Sequence, residues 1–330
     1  MVKKQGFLYL GAISLLMLSL LLGLRFGAVN IEIREIWQAA WQDGSKFQQI
    51  FYQIRLPRVL LGAIMGAGLA ITGAVMQGIF QNPLVDSYTL GMSSGASLGA
   101  VLAIITGVSS LIPGISGLSF FAFLGALATL ALVYALGNTK GKLASSTLLL
   151  AGIVVSYFIA ALISVLMLLN KNKIDKIVFW NMGSLAAANW NKVLLAAIVI
   201  LPCSLLLYYF WRELNMLSFG EEAAKNLGVN TTKAKAVLLV LSALIVGTVV
   251  AIGGTIGFVG LIAPHIVRYF AGVHNKKVLF LSAITGATVL VLADTLGRVL
   301  VKPAEIPAGV MTSVIAGPFF IYLLRKQKTN

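Results

Sequence analysis

Ten stretches of this chain are apolar over the length of a bilayer crossing, and that pattern constrains the fold more than any motif within it. A helix rising 1.5 Å per residue needs about 20 mostly apolar residues to cross a hydrocarbon layer about 30 Å thick. By that measure candidate spans lie near residues 7–28, 57–80, 88–108, 118–137, 145–169, 192–211, 234–252, 256–270, 278–297 and 306–324. Backbone amides in hydrocarbon must be satisfied within the segment, so such runs are expected to be helical. The expected fold class is an all-α polytopic membrane protein, a single transmembrane domain over residues 1–330. With 59% hydrophobic and 11% charged residues, against about 45–50% and about 25% in soluble domains, the chain is not a soluble enzyme, a nucleic-acid reader or a disordered regulator. Its net charge of +15 is a matter of topology, not of a polyanionic partner.

The eighth stretch is the weakest. Gly253, Gly254, Gly257, Gly260 and Pro264 interrupt it, and it is short for an unaided crossing. Broken backbone at membrane depth persists only where protein or a water-filled cavity surrounds it, so this segment is expected to be enclosed. Lys3 and Lys4 precede the first stretch, Arg25 follows it, and no small-x-small cleavage site is evident, so it is taken as a retained span. An even number of spans puts both termini on one side, and Lys3 and Lys4 with Arg325, Lys326 and Lys328 place that side in the cytoplasm. Only a bare majority of the Lys and Arg falls inside on this topology. The outer cations therefore call for a separate explanation.

Chemistry within the spans is sparse. Gly62 and Gly66, then Gly91, Gly95 and Gly99, are small residues four apart that let helices approach closely, and packing suffices to explain them. Asp294 and Arg298 stand one turn apart near the outer end of the ninth span, where they can pair. A proton- or sodium-driven carrier needs carboxylates or histidines at mid-membrane, and none is expected there, since His265 and His274 fall at the cytoplasmic edge. The sequence holds no nucleophile–base pair, HExxH helix or metal cluster, and Cys203 sits alone in an apolar run. Gly141 and Lys142 come nearest to a phosphate loop, yet Leu143 stands where a hydroxyl is needed. An ion-coupled secondary carrier and a polytopic membrane enzyme are thus the disfavoured alternatives.

The most informative polar segment is MLSFGEEAAKNLGVNTTKAK, residues 216–235, in the longest cytoplasmic connection, 212–233. Ser218 with Glu221 three residues later has the form of a capping box, and Gly228 suits a helix C-terminus, which predicts a short surface helix over about 219–227. Such a helix is either plain connection or, through Ala223, Ala224 and Leu227, the occupant of a groove in another protein.

Longer blocks carry a family resemblance. The stretch RLPRVLLGAIMGAGLAITGAVMQGIFQNPLVDSYTLGMSSGASLGA (55–100) strongly resembles the signature of FecCD-type permeases of iron-chelate and cobalamin ABC importers. GGTIGFVGLIAPHIVRYFAGVHNKK (253–277), ADTLGR (293–298) and EIPAGVMTSVIAGPFF (305–320) extend it to near the C-terminus. The resemblance implies a type II ABC importer permease of about ten helices in a bacterial inner membrane. It also implies a second permease subunit, identical or closely related, two cytosolic ABC ATPases holding the ATP and magnesium, and an extracytoplasmic substrate-binding protein. No cofactor is implied for this chain itself, and lipid is its surroundings.

Residue roles follow from the same likeness. EAAKNLG (222–228) is similar to the coupling element that docks in the ATPase, implicating Glu221, Glu222, Ala223, Ala224 and Gly228. Arg55, Arg58 and Arg298 match outer-face positions that meet acidic residues of the binding protein, while pairing with Asp294 remains the alternative for Arg298. Spans five and ten would line the path, with Ser145 and Ser146 as an inner gate and Ala308, Gly309 and Gly317 as small-residue lining. Serines at a helix start are also common N-caps. The implied cargo is a ferric siderophore, with haem and cobalamin as alternatives, and the implied mechanism is alternating access driven by the ATPases.

Overall fold

The computed structural model describes residues 2–27, 46–108, 110–112, 115–139 and 142–327. Lys328 and Gly141 lie outside the described residues. Thirteen helices make up the described fold: α1 (Val2–Arg25), α2 (Leu56–Phe80), α3 (Met92–Thr106), α4 (Gly117–Gly137), α5 (Ser145–Leu169), α6 (Ile174–Asn181), α7 (Trp190–Tyr209), α8 (Trp211–Leu217), α9 (Glu221–Asn226), α10 (Thr231–Gly253), α11 (Val259–Ala271), α12 (Asn275–Val299) and α13 (Ala308–Gln327). A helical lead-in, Lys46–Gln49 and Ile50–Arg55, runs directly into α2. Two ribbons of two or three residues per strand, Ser110–Ile112 with Ile115–Ser116 and Asn138–Thr139 with Lys142–Leu143, bracket α4.

Local chemistry sets the boundaries. Pro57 sits in the first turn of α2, where its missing N–H costs nothing. Asn189 and Asn230 accept from the backbone N–H groups of Lys192 and Lys233 and so start α7 and α10. Seven helices are long and apolar enough to cross a membrane, and three shorter apolar ones, Met92–Thr106, Val259–Ala271 and Ala308–Ile321, accompany them. Each stretch marked in the sequence overlaps one of these ten. The third is shorter than expected because residues 81–91 are irregular. Gln81 ends α2 in the left-handed region, and Asn82 closes an Asx turn onto the Leu84 N–H.

The core lies on α2, α10 and α12. The apolar windows of α2 and α10 are 78% buried and that of α12 61%, against 11% for α1 and 17% for α5, which ring the outside. α2 and α12 share the most extensive interface, made possible by glycines. A Cβ on Gly66 would stand 2.3 Å from the Gly286 carbonyl oxygen of α12, and where α2 meets α11 one on Gly73 would stand 1.9 Å from that of Gly260. Gly95 and Gly99 likewise bring α3 against α4. Close backbone contact of this kind replaces the hydrophobic effect as glue in lipid.

Candidate coupling and gating sites

One end of the bundle carries the polar connection as an elbow of two helices, α8 and α9. The capping box does not form. Ser218 Oγ donates back to Leu214 O, and Gly220 occupies the N-cap of α9 without a side-chain bond. Gly228, at φ +87°, does terminate the helix in a conformation that favours glycine. Of the predicted coupling residues, Glu222 and Gly228 are exposed, Ala223 is half-buried, and Ala224 is fully buried against the bundle. Ala224 therefore anchors α9 to this chain and offers nothing to another. Phe219 (80% exposed) and Leu227 (62%) are the apolar side chains that project from the elbow. Two clefts flank it, one of about 580 Å³ holding Phe219, Gln77, Arg268 and His274, the other of about 480 Å³ holding Leu227, Gly228 and Lys233.

Glu221 turns inward. Its Oε2 lies 2.6 Å from Lys235 Nζ and its Oε1 3.2 Å from Lys225 Nζ, with Thr231 Oγ1 donating at 3.4 Å. Burial acts to raise the pKa of this carboxyl, but the hydrogen bonds and charges of Lys235 and Lys225 outweigh it, so it titrates below the usual glutamate range. Lys235, one turn into α10, is 1% exposed and is among the largest fully buried side chains. Its ammonium also donates to Leu143 O (3.0 Å) and Ser145 Oγ (3.1 Å). Its sequence signal was weak, a lysine two residues after Lys233 at the polar start of the seventh span, and counting charges for topology passed over it.

Ser145 and Ser146 are the first two residues of α5, and neither caps it, because Ala144 holds the N-cap position. Ser145 is half-buried and donates to Ile79 O at 3.3 Å, while Ser146 is exposed. The predicted gate thus starts at the Lys235 cluster. On α13, Ala308 is buried, Gly317 faces open space, and Gly309 packs so closely that a Cβ would stand 2.4 Å from the carbonyl oxygens of both Met182 and Thr255. Gly309 also borders a cleft of about 520 Å³ with Tyr88, Asn181, Thr255 and Ser313.

Around that cleft several irregular segments satisfy one another. Gly309 N–H donates to Gly183 O (3.0 Å), Ser184 N–H to Gly253 O (2.7 Å), Ile256 N–H to Tyr88 Oη (3.3 Å), and Thr255 Oγ1 to Asn181 O. The broken eighth stretch is enclosed, as its backbone requires. One acidic residue lies deeper than expected. Ser87 Oγ donates to Leu69 O at 2.9 Å, and Leu69 lies about 16 Å along α2 from its Phe80 end at 1.5 Å per residue. The neighbouring Asp86 carboxylate accepts from the N–H groups of Ser87 (2.6 Å) and Phe258 (3.3 Å). It braces two broken segments at mid-depth.

The opposite end is closed by an ionic cluster that corrects one expectation. Arg55, Arg58 and Arg298 are 5%, 7% and 3% exposed, so their guanidinium groups do not project toward another protein. Arg58 holds both oxygens of Asp294 at 2.9–3.1 Å and Glu305 at 2.9 Å. Arg298 pairs with Asp294 (3.1 Å) and donates to Gly23 O (3.1 Å), joining α1 to α12. Arg55 packs beside Gly27 in the same cluster. The alternative weighed for Arg298, pairing with Asp294, is what the structure shows. Sequence reasoning missed that Asp294 also serves Arg58, because the two stand 236 residues apart. Lys173, counted in the sequence among the outer cations, donates its ammonium to Ile105 O at 2.6 Å.

Ten apolar helices, an amphipathic elbow at one end and mutually satisfied broken segments at depth define a multi-pass helical membrane protein. The model of the FecCD transport family matches residues 15–326, and the chain belongs to that family of ABC importer permeases. It is 40% identical to the hemin transport system permease protein HmuU of Yersinia pestis over 99% of this chain and 98% of that one. It is 35% identical to the iron(3+)-hydroxamate import system permease protein FhuB of Bacillus subtilis over 97% and 83%. A solved structure described as an inward-facing metal-chelate type ABC transporter superposes with a TM-score of 0.86 at 36% identity, covering 98% of this chain and 99% of that one.

Proposed function

We propose that this chain is the permease of a bacterial inner-membrane importer that carries a ferric siderophore into the cytoplasm. It works with a second permease subunit, two cytosolic ABC ATPases and an extracytoplasmic binding protein. The observation that carries this reading is the α8–α9 elbow. It is too polar for lipid, presents Phe219, Glu222 and Leu227 outward, and is bonded inward to the start of α5. On this topology the elbow and both termini face the cytoplasm, and the arginine cluster braces the outer end beneath the binding protein. Closure of the ATPases on ATP moves the elbows, the helix bundles follow as near-rigid bodies, and hydrolysis resets them. The unpartnered apolar faces of α5 and α13, including Tyr157, Phe158 and Val314, meet the second permease subunit and lipid. A path walled by small and apolar residues releases a bulky chelate that a tightly gripping wall would trap.

Haem is the second reading, favoured by the 40% identity to a hemin permease. The deciding experiment measures binding of ferric siderophores, haem and cobalamin to the cognate binding protein, followed by uptake into vesicles holding the whole complex. ATP-dependent uptake of a ferric siderophore is expected. Uptake driven by an ion gradient without the ATPase would remove the proposal.

A further inference from the structure

The Lys235 cluster carries an inference beyond docking. Its three donors reach three different parts of the fold: Glu221 on α9 at 2.6 Å, Leu143 O on the ribbon before α5 at 3.0 Å, and Ser145 Oγ on α5 itself at 3.1 Å. Ser145 passes the contact on to Ile79 O at the end of α2. A lysine ammonium has three N–H donors, and here each has an acceptor. The ion pair is lopsided, with the Lys235 side chain 1% exposed and that of Glu221 29%.

We propose that Lys235 is the joint that transmits movement of the α9 elbow to the inner end of α5, and thus a positioning residue for gating. The inference rests on the reading of α9 as the element the ATPase moves. Its physical basis is the penalty for leaving a buried charge unpaired. When α9 shifts, Lys235 either follows Glu221 and draws Leu143 and Ser145 with it, or stays behind as a lone cation inside the bundle. The second course is strongly disfavoured, so the link behaves as a stiff one. Packing alone does not impose this, because apolar surfaces slide at little penalty where a buried ion pair does not separate.

The test uses the complete transporter in proteoliposomes. ATP-dependent uptake by the unaltered complex is measured first, and its absence would sink the reading of the chain as an ATPase-driven permease, not the joint. Lys235→Met keeps length and burial but removes every donor. It is expected to leave binding-protein-stimulated ATP hydrolysis within about twofold while uptake per ATP falls by about tenfold, the scale of one charged hydrogen bond. Glu221→Gln, at a half-buried site that tolerates folding, should show the same split more weakly. Glu221→Asp should restore coupling, and combining Glu221→Gln with Lys235→Met should be no worse than Lys235→Met alone. With Cys203→Ala as background, Ser146→Cys labelling should change with nucleotide in the parent, change less with Glu221→Gln and stop changing with Lys235→Met. The joint is refuted if hydrolysis and uptake fall in parallel in both variants, or if labelling still switches with nucleotide in Lys235→Met as it does in the parent.

Discussion

The two ends of the bundle are each held by a buried cation, yet the two sites are built differently. At one end Arg58 grips Asp294 with a bidentate fork, and both side chains are nearly inaccessible, at 8% and 4%. At the other, Lys235 is almost wholly buried, but its carboxylate partner sits on a six-residue helix at the surface. A planar guanidinium between two acids fixes direction as well as distance, whereas an ammonium is a point charge on a flexible stem. The first arrangement clamps α1, α2 and α12 into one body. The second attaches a small external element to that body so that it can be pulled without being lost.

The contrast predicts a large asymmetry in what each cluster does when broken. Asp294→Ala leaves two buried arginines facing each other and should destabilise the protein by about 3–5 kcal/mol, read as a fallen melting temperature in detergent. Adding Arg58→Met should recover only part of that loss, since it removes one of the two uncompensated arginines but leaves Arg298, and Glu305 loses its partner. If the double variant were no better than the single, the clamp would not be an electrostatic unit. At the opposite end Glu221→Gln should lower stability by only about 1 kcal/mol, because the amide oxygen still accepts from the buried Lys235 ammonium, which loses its counter-charge but not its hydrogen bond.

The pH response sharpens the same distinction. The Glu221 pKa is lowered, so its contribution is fully present above the ordinary glutamate value of 4.5 and is lost as pH falls through the depressed folded value. Protease protection of the α8–α9 elbow should therefore be flat from neutral pH down to about that value and fall only below it, with the fall abolished in Glu221→Gln. The smallest effect on stability belongs to Phe219→Ala, within about 0.5 kcal/mol for so exposed a side chain. The same change should weaken ATPase binding about tenfold, as loss of an aromatic anchor does. Unchanged affinity would move the contact to the Leu227 side of the elbow.

Much of the fold was legible because lipid imposes a length rule that a sequence obeys locally. The apolar runs, the surface helix ahead of Gly228, the close-packing glycines and the enclosed break after Gly253 all follow from spacing along one segment. The site was legible only in outline. A capping box between Ser218 and Glu221 was a sound local expectation, but it lost to Lys235, which lies 14 residues on and offers a full charge. Three arginines at one end suggested an outward patch, but burial beside Asp294 and Glu305 decided otherwise. The depth of Asp86 depends on how residues 81–91 fold back along α2, which no periodicity announces.

The sequence by itself determined that the chain lives in a bilayer, that its spans are helical and which loop is too polar to enter, because burial of backbone in hydrocarbon is a constraint each segment meets alone. Tertiary structure decided which charges face inward. Whether a buried cation finds its acid depends on residues brought together from distant spans, and that meeting exists only once the helices have packed.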